Sequence, residues 1–397
     1  MKKLILKKEY KIIKYVISEE DEPFACGEFD PDKAVAGDIY AAAVRERISS
    51  SDTYFCDIGD TRTAYLPCNS YKTGEMSLLQ VKTAPHDGKG ACMTDVITFS
   101  GRYAVVEFLP SPHVYDTYTC RGDKNGFSAQ IKFSKKIKKS GLTKLLGSIA
   151  ESCLYSFAAD LRSLGYLMEI IVRTEAETLC KDGFITDDDQ FKNEIEKFFE
   201  LFKTIQSRFE ERRTDRGISR LYSVGFFEYI NRVYRISSFD SVITSEPCFV
   251  GMVKSDAPWL NEKINLLRES SSGYDIFTLI NASRKLPSLL GKRIYLKCGG
   301  EIIIERTEAM TVIDINSSSA SLSYYDVNAE AAVEIMRQLQ LRNIGGIIMC
   351  DFINMDKNEN EKLENMLREL ACKDYAKCTV YGFTRLGVME IARKRSC

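Results

Sequence analysis

Residues 311–316 read TVIDIN and residues 347–355 read IIMCDFINM. In an extended strand alternate side chains share a face, so Asp314 and Asn316 point one way while Ile313 and Ile315 point the other. In the second stretch a mostly apolar run delivers Asp351 to a strand end. Between the two, NAEAAVEIMRQLQLRN has helical period, with Asn328 as N-cap and Gly345 just past its end. EIIIE lies upstream as a strand, and NENEKLENMLREL downstream is another helix. This pattern predicts α/β architecture over 281–397, with ligands beyond the carboxyl ends of the strands.

Two acidic groups at the ends of two strands in one sheet can hold a hard cation through oxygen ligands. Magnesium commonly takes one or two protein carboxylates, with water and substrate phosphate completing its octahedron. Such a metal polarises a phosphoryl oxygen and generates a nucleophile near neutral pH. Strand-end aspartates also serve as ordinary turn residues, and spacing alone does not separate the two readings.

Outward from this region the chain changes character. Residues 37–118 read as five or so short strands (AAAVRERI, DTYFCDIG, TAYLPC, SLLQVKT) separated by Gly and Asp-Gly turns, which suggests a small Greek-key barrel of OB type. There Phe55 and Tyr65 bracket an Asp-Ile-Gly turn, and Lys89 sits in Asp87-Gly88-Lys89-Gly90. Aromatics on such a face stack unpaired bases and a lysine adds a phosphate contact. Barrel-core aromatics and a surface lysine account for the same residues. Residues 119–214 are mixed. A helical stretch and the strand LMEIIVRT precede an amphipathic helix after Thr186, which is an N-cap followed by Asp187 to Asp189. Phe191, Ile195, Phe198, Phe199, Phe202 and Ile205 share one face of that helix. Arg208 to Arg220 reads as a solvated face or linker. Arg173-Thr174 places a guanidinium beside a hydroxyl, a clamp suited to a terminal phosphate, although such pairs are common. Lys132, Lys135, Lys136, Lys138 and Lys139 suit a nucleic-acid backbone or a solvated loop equally. Residues 215–280 are less periodic, with SSSG at 270–273 as a loop.

The chain has 397 residues, 44% hydrophobic and 28% charged, which is an ordinary globular composition and argues against disorder. It carries 55 basic and 56 acidic residues, so there is no chain-wide basic field for nucleic acid and any such surface is local. The 13 cysteines are odd in number and lack C-x-x-C spacing, which argues against a disulfide scaffold or zinc cluster and fits reduced thiols in the cytoplasm. His86 and His113 are the only histidines, too few for histidine-based acid–base chemistry. No P-loop, dinucleotide fingerprint, H-E-x-x-H or G-x-S-x-G occurs. Neither a membrane-length apolar run nor a secretory leader is visible, so a cytoplasmic location with no membrane partner is expected.

Taken together, GDIYAAAVRERI, YFCDIGDTRTAYLP, LLQVKTAPHDGKGACMTDVITFSGRYAVV, IIVRT, GGEIIIERTEAMTVIDIN, NAEAAVEIMRQLQLRNIGGIIMCDFINM and LGVMEIARKR resemble, in order, the catalytic region of the ribonuclease E/ribonuclease G family. The resemblance implies an α+β and α/β multi-subdomain fold. An RNase H-like subdomain (1–36 with 215–280) would be interrupted by an S1-type OB domain (37–118) and a 5′-sensor (119–214), and followed by a DNase I-like catalytic subdomain (281–397). By resemblance, Asp314 and Asp351 are magnesium ligands, and Asn316 orients the attacking water or metal shell. Phe55, Tyr65 and Lys89 grip single-stranded RNA, and Arg173 and Thr174 recognise a 5′-monophosphate. The implied activity is Mg2+-dependent endoribonuclease cleavage leaving 5′-phosphate and 3′-hydroxyl ends, in RNA processing or decay. The family's C-P-x-C-x-G zinc link is not found before Cys397, so a homodimer is compatible with the sequence while a zinc-linked tetramer is not expected. Two further departures are the SSSASLSYYDV loop after Asn316 and Asn354 in place of a second aspartate. The competing readings are a non-catalytic RNA-binding relative and a metal-dependent phosphodiesterase acting on DNA or small nucleotides.

Overall fold

A computed structural model describes residues 1–20, 22–48, 52–67, 71–86, 88–110, 130–181, 184–185, 188–234, 239–267, 276–279 and 290–394. Asp87, His113, Thr186, Asp187, the 270–273 stretch and Cys397 lie outside the described residues. The chain forms two compact units, Pro31–Arg232 and Met1–Asp30 with Val233–Ser396.

In the Pro31–Arg232 unit, strand Ile39–Arg47 pairs with both Thr53–Asp57 and Met76–Thr83. Thr53–Asp57 continues to Ala64–Pro67, which runs parallel to Cys92–Thr94, and that strand returns to Met76–Thr83. The ring is closed, giving the five-stranded OB-like barrel that the turn spacing predicts. Val44, Tyr54, Cys56, Leu66, Leu79 and Met93 fill its interior.

A four-stranded sheet follows in the order Gln130–Phe133, Tyr166–Val172, Ala104–Pro110, Ile97–Ser100. Helices Thr143–Leu164 and Asp188–Asp215 build its core. The predicted apolar stripe is the buried one: Phe191, Ile195, Phe199, Phe202 and Ile205 are buried, Phe198 partly so, and the Phe108 and Phe202 rings stack at 3.9 Å. Of the two readings of the charged run after Arg208, the solvated face holds for the helix end, where residues 210–216 are exposed, and the linker does not. The helix continues to Asp215 with Phe209 buried, and Arg220 reaches the buried Asp38 at 3.1 Å. Charged residues crowd one line of the sheet. Glu107 stands opposite Glu169, whose carboxylate takes the Lys132 ammonium at 2.6 Å.

In the other unit, strands Ile264–Leu266, Ser241–Thr244, Lys2–Glu9, Ile12–Glu19 and Glu22–Phe29 form one sheet in that order. A six-stranded sheet runs Arg293–Tyr295, Glu301–Arg306, Met310–Asn316, Gly346–Asp351, Met389–Arg393, Cys378–Phe383. The strand–helix–strand reading of this region holds for one crossover. Met310–Asn316 and Gly346–Asp351 are parallel, and the other neighbours in the sheet are antiparallel. Helices Tyr324–Leu341 and Lys357–Cys372 bury Val327, Ile335, Leu339, Leu363 and Leu367 against Ile302, Ile313, Ile315, Ile348 and Cys350.

Capping chemistry sets both helix starts. Asp356 and Glu359 form a reciprocal capping box on the second helix. The first helix begins four residues before Asn328, because the Ser323 hydroxyl accepts the Asp326 N–H. Asn328 is therefore not an N-cap but a fully buried side chain inside the helix. No helix among the described residues is long and apolar enough to cross a membrane.

Candidate functional site

The parallel pairing sets Asp314 level with Asp351 on neighbouring strands. Adjacent strands lie about 4.8 Å apart and level residues face the same side, so the two carboxylates share one patch. Ile313 and Ile315 are buried beneath the helices, whereas Asp314 and Asn316 are half-buried and Asp351 is exposed. Asn316 donates from Nδ2 to Asp314 Oδ2 at 2.8 Å, which fixes the amide and leaves its own oxygen available. The donor set is two carboxylates and an amide oxygen, with no histidine or thiolate. That set fits a hard cation completed by water and phosphate oxygens. Among the described residues no cluster of three or more His, Cys, Asp or Glu forms a closed metal cage.

Several supports escape sequence reading. Asn328 donates to the Ile353 carbonyl at 2.8 Å and accepts the Ile353 N–H at 3.1 Å, pinning the chain two residues past Asp351. The one signal was a polar residue amid the apolar helix stripe Val327, Ala331, Ala332. At the other end of that strand, Arg393 is buried. It binds Asp374 through two nitrogens at 2.7 and 3.0 Å and the Ile344 carbonyl at 2.8 Å. Gly300 packs where a Cβ would stand 2.9 Å from Val327 and 3.1 Å from the Asn316 carbonyl, so it lets the loop approach the Asn316 strand end. The loop after Asn316 is ordered locally by Ala320 N–H to Ser317 O at 2.8 Å and by Ser319 N–H to Gly299 O at 3.2 Å.

On the barrel, Phe55 and Tyr65 are direct cross-strand partners. Phe55 is 40% exposed while its neighbours Tyr54 and Cys56 point inward, so Phe55 does not belong to the barrel core. Tyr65 is half-buried, and burial raises its phenol above the usual range. Lys89 is exposed in a turn closed by reciprocal His86 and Lys89 main-chain bonds of 2.8 and 3.2 Å. Tyr65 N–H donates to Ala91 O at 2.9 Å, and a Cβ on Gly90 would meet Thr63 O at 1.9 Å, so the Lys89 turn is held against the Tyr65 strand. Phe55 and Tyr65 thus share one face of the barrel, and exposed Lys89 stands in the turn joined to the Tyr65 strand.

Arg173 follows the strand Tyr166–Val172. Its Nη1 donates to Gly101 O at 2.6 Å, and Asn231 Oδ1 lies 3.4 Å from both Nη1 and Nη2. The Nε edge carries only a 3.8 Å approach to Glu175. Thr174 Oγ1 donates to Ser134 Oγ at 3.1 Å, and that serine caps the lysine-rich helix Lys135–Ser140. Of the lysine run, Lys132 and Lys136 are paired with Glu169 and Glu177.

The described residues thus show a closed barrel with exposed Phe55 beside half-buried Tyr65, and a two-carboxylate patch on a mixed sheet. The Ribonuclease E/G family pattern matches residues 125–396, and the chain belongs to that family. It is 27% identical over 398 residues to Ribonuclease G of Salmonella typhimurium, covering 92% of this chain and 73% of that protein. Ribonuclease G of Escherichia coli K12 is 26% identical with the same coverage. Ribonuclease E of a Synechocystis species is 31% identical over 391 residues, covering 90% of this chain and 52% of that relative.

Proposed function

We propose that this protein is a magnesium-dependent endoribonuclease that cleaves single-stranded RNA to 5′-phosphate and 3′-hydroxyl ends, in RNA processing or decay in the cytoplasm. The observation that carries the reading is the level pairing of Asp314 and Asp351, with Asn316 bonded to Asp314, in a member of this family. Asp314 and Asp351 would hold the cation by their carboxylates, and Asn316 would orient the water or metal shell. Bound there, Mg2+ supplies Lewis-acid stabilisation of phosphoryl charge and lowers the pKa of water. Phe55 and Tyr65 stack unpaired bases and Lys89 takes a phosphate, a mode that tolerates sequence. Arg173 offers its Nε–Nη2 edge to a 5′-monophosphate, and the Thr174 hydroxyl would turn its proton from Ser134 to the same group.

The test is cleavage of a 5′-monophosphorylated single-stranded RNA with Mg2+, beside a DNA oligomer of the same sequence. Internal cuts in RNA, absent with Asp351→Asn although that variant still binds RNA, are expected. Cuts by both proteins would sink the metal assignment. Binding without cuts by either would point to a non-catalytic RNA-binding relative, and equal cleavage of the DNA to a general phosphodiesterase.

A further inference from the structure

Glu194 lies on helix Asp188–Asp215, far from Arg173 in sequence, yet its carboxylate organises the turn that Arg173 leans on. Glu194 Oε2 accepts the Arg102 N–H at 2.8 Å, and Oε1 accepts the Tyr103 and Ala104 N–H groups, each at 2.8 Å. Three consecutive main-chain donors therefore converge on one side chain. The turn also closes on itself through Gly101 N–H to Ala104 O at 2.8 Å. Its outward carbonyls do the opposite job. Gly101 O accepts Arg173 Nη1 at 2.6 Å, and Tyr103 O accepts the Arg173 main-chain N–H at 2.8 Å. Glu194 thus holds the donors of the turn while Arg173 takes its acceptors.

A second observation shows how tightly the two sides are matched. A Cβ on Gly101 would stand 2.3 Å from the Glu194 carboxyl carbon, so only glycine lets the carboxylate reach the turn. On the far side of the guanidinium, Asn231 Oδ1 lies 3.4 Å from both terminal nitrogens. With Nη1 committed to Gly101 and the Nη1–Nη2 edge facing Asn231, the Nε–Nη2 edge, held only by the 3.8 Å approach of Glu175 to Nε, is the one a bidentate partner can take by displacing that carboxylate. A guanidinium held by fixed acceptors loses less freedom when it meets a phosphate, and small misplacements of such a clamp are costly.

We propose that Glu194 is a positioning residue for 5′-end recognition: through the 101–104 turn it sets the direction in which Arg173 presents its Nε–Nη2 edge. The proposal rests on the reading of Arg173 as a 5′-monophosphate contact. The carboxylate itself touches no substrate. Its effect should therefore appear in the preference between 5′-monophosphate and 5′-hydroxyl RNA and not in cleavage as such.

The experiment compares cleavage of the two RNAs, differing only at the 5′ end, by the full chain and by Glu194→Ala, Glu194→Gln, Gly101→Ala and Arg173→Ala. Glu194→Ala is expected to cut the 5′-monophosphate advantage by about ten-fold or more while 5′-hydroxyl cleavage stays near the parent rate. Gln keeps one acceptor oxygen and should retain part of the advantage. Gly101→Ala, which drives a methyl group into the carboxylate, should reproduce the Ala variant from the other side. An undiminished advantage in Glu194→Ala and Gly101→Ala, with the advantage lost in Arg173→Ala, overturns the proposal alone. Equal loss on both RNAs in every Glu194 and Gly101 variant also overturns it, since that marks a general folding role. An advantage that survives Arg173→Ala overturns the sensor reading, and the proposal with it.

Discussion

Replacing Asn328 by Ala removes two hydrogen bonds at once, the 2.8 Å donation to Ile353 O and the 3.1 Å acceptance from Ile353 N–H. Asn328 is fully buried and Ile353 half-buried, so water can restore only part of what is lost. A made bond contributes about 1 kcal/mol net, and a buried group left unpaired costs about 1–3 kcal/mol. The expected loss of stability is about 2–3 kcal/mol, read as a lower urea midpoint with unchanged slope. Ile353 lies two residues past Asp351, so the same change frees the carboxylate end of the strand. A displacement of about 1 Å at a reacting group costs up to ~100-fold, so the maximal cleavage rate should fall by about ten- to a hundred-fold with KM for RNA little moved. Asn328→Asp is the sharper variant. Its carboxylate still accepts the Ile353 N–H but sets a second acceptor against the Ile353 carbonyl, so it should do no better than Ala. Full cleavage by a destabilised but folded Ala variant would refute the link from Asn328 to Asp351. Unaltered stability would refute the hydrogen-bond argument itself.

Phe55→Ala should weaken single-stranded RNA binding by about 1–3 kcal/mol and cost barrel stability about 1 kcal/mol, from its cross-strand contact with Tyr65, well short of the ~3–5 kcal/mol of a core phenylalanine. A titration with labelled RNA beside an unfolding curve checks both, and a stability loss of that larger size with intact binding would return Phe55 to the core. Burial first, and then the Glu169 carboxylate opposite, raise Glu107 above its ordinary range, against a smaller pull from Lys132. A carboxyl raised in the folded state contributes stability below its unfolded value and loses it as pH climbs through the raised one. Glu107→Gln should therefore raise the unfolding midpoint at about pH 7, with the gain fading toward about pH 4. A gain of equal size at both pH values would contradict the charge argument.

Much of the site was legible because strand alternation is local. TVIDIN alone puts Asp314 and Asn316 opposite two buried isoleucines, and the structure keeps that division. What alternation cannot give is register. That Asp314 meets Asp351 depends on how the crossover helix seats Val327, Ile335 and Leu339 on the sheet, which is a packing outcome. Asn328 was misread for a related reason. Its residue type suits an N-cap, but Ser323 competes for that role earlier and wins with the Asp326 N–H. In TYFCD residue type points the wrong way: the more polar ring goes in, because barrel closure turns Tyr54 inward, where its hydroxyl donates to Tyr71 O at 2.7 Å, and leaves Phe55 out. Glu194 left no trace in the sequence at all, because its three partners are main-chain groups about ninety positions away.

Barrel closure also bears on how this surface can diverge. Among the described residues each strand of the ring has a neighbouring strand on both sides, so none of the five stands as an edge for an incoming chain to extend. Whatever the barrel grips, it must grip with side chains standing on the outer pleat. Side chains such as Phe55 owe little to the interior, so exchanging them leaves the ring intact. Ligand preference can then drift one residue at a time while the scaffold beneath stays under its own, separate selection.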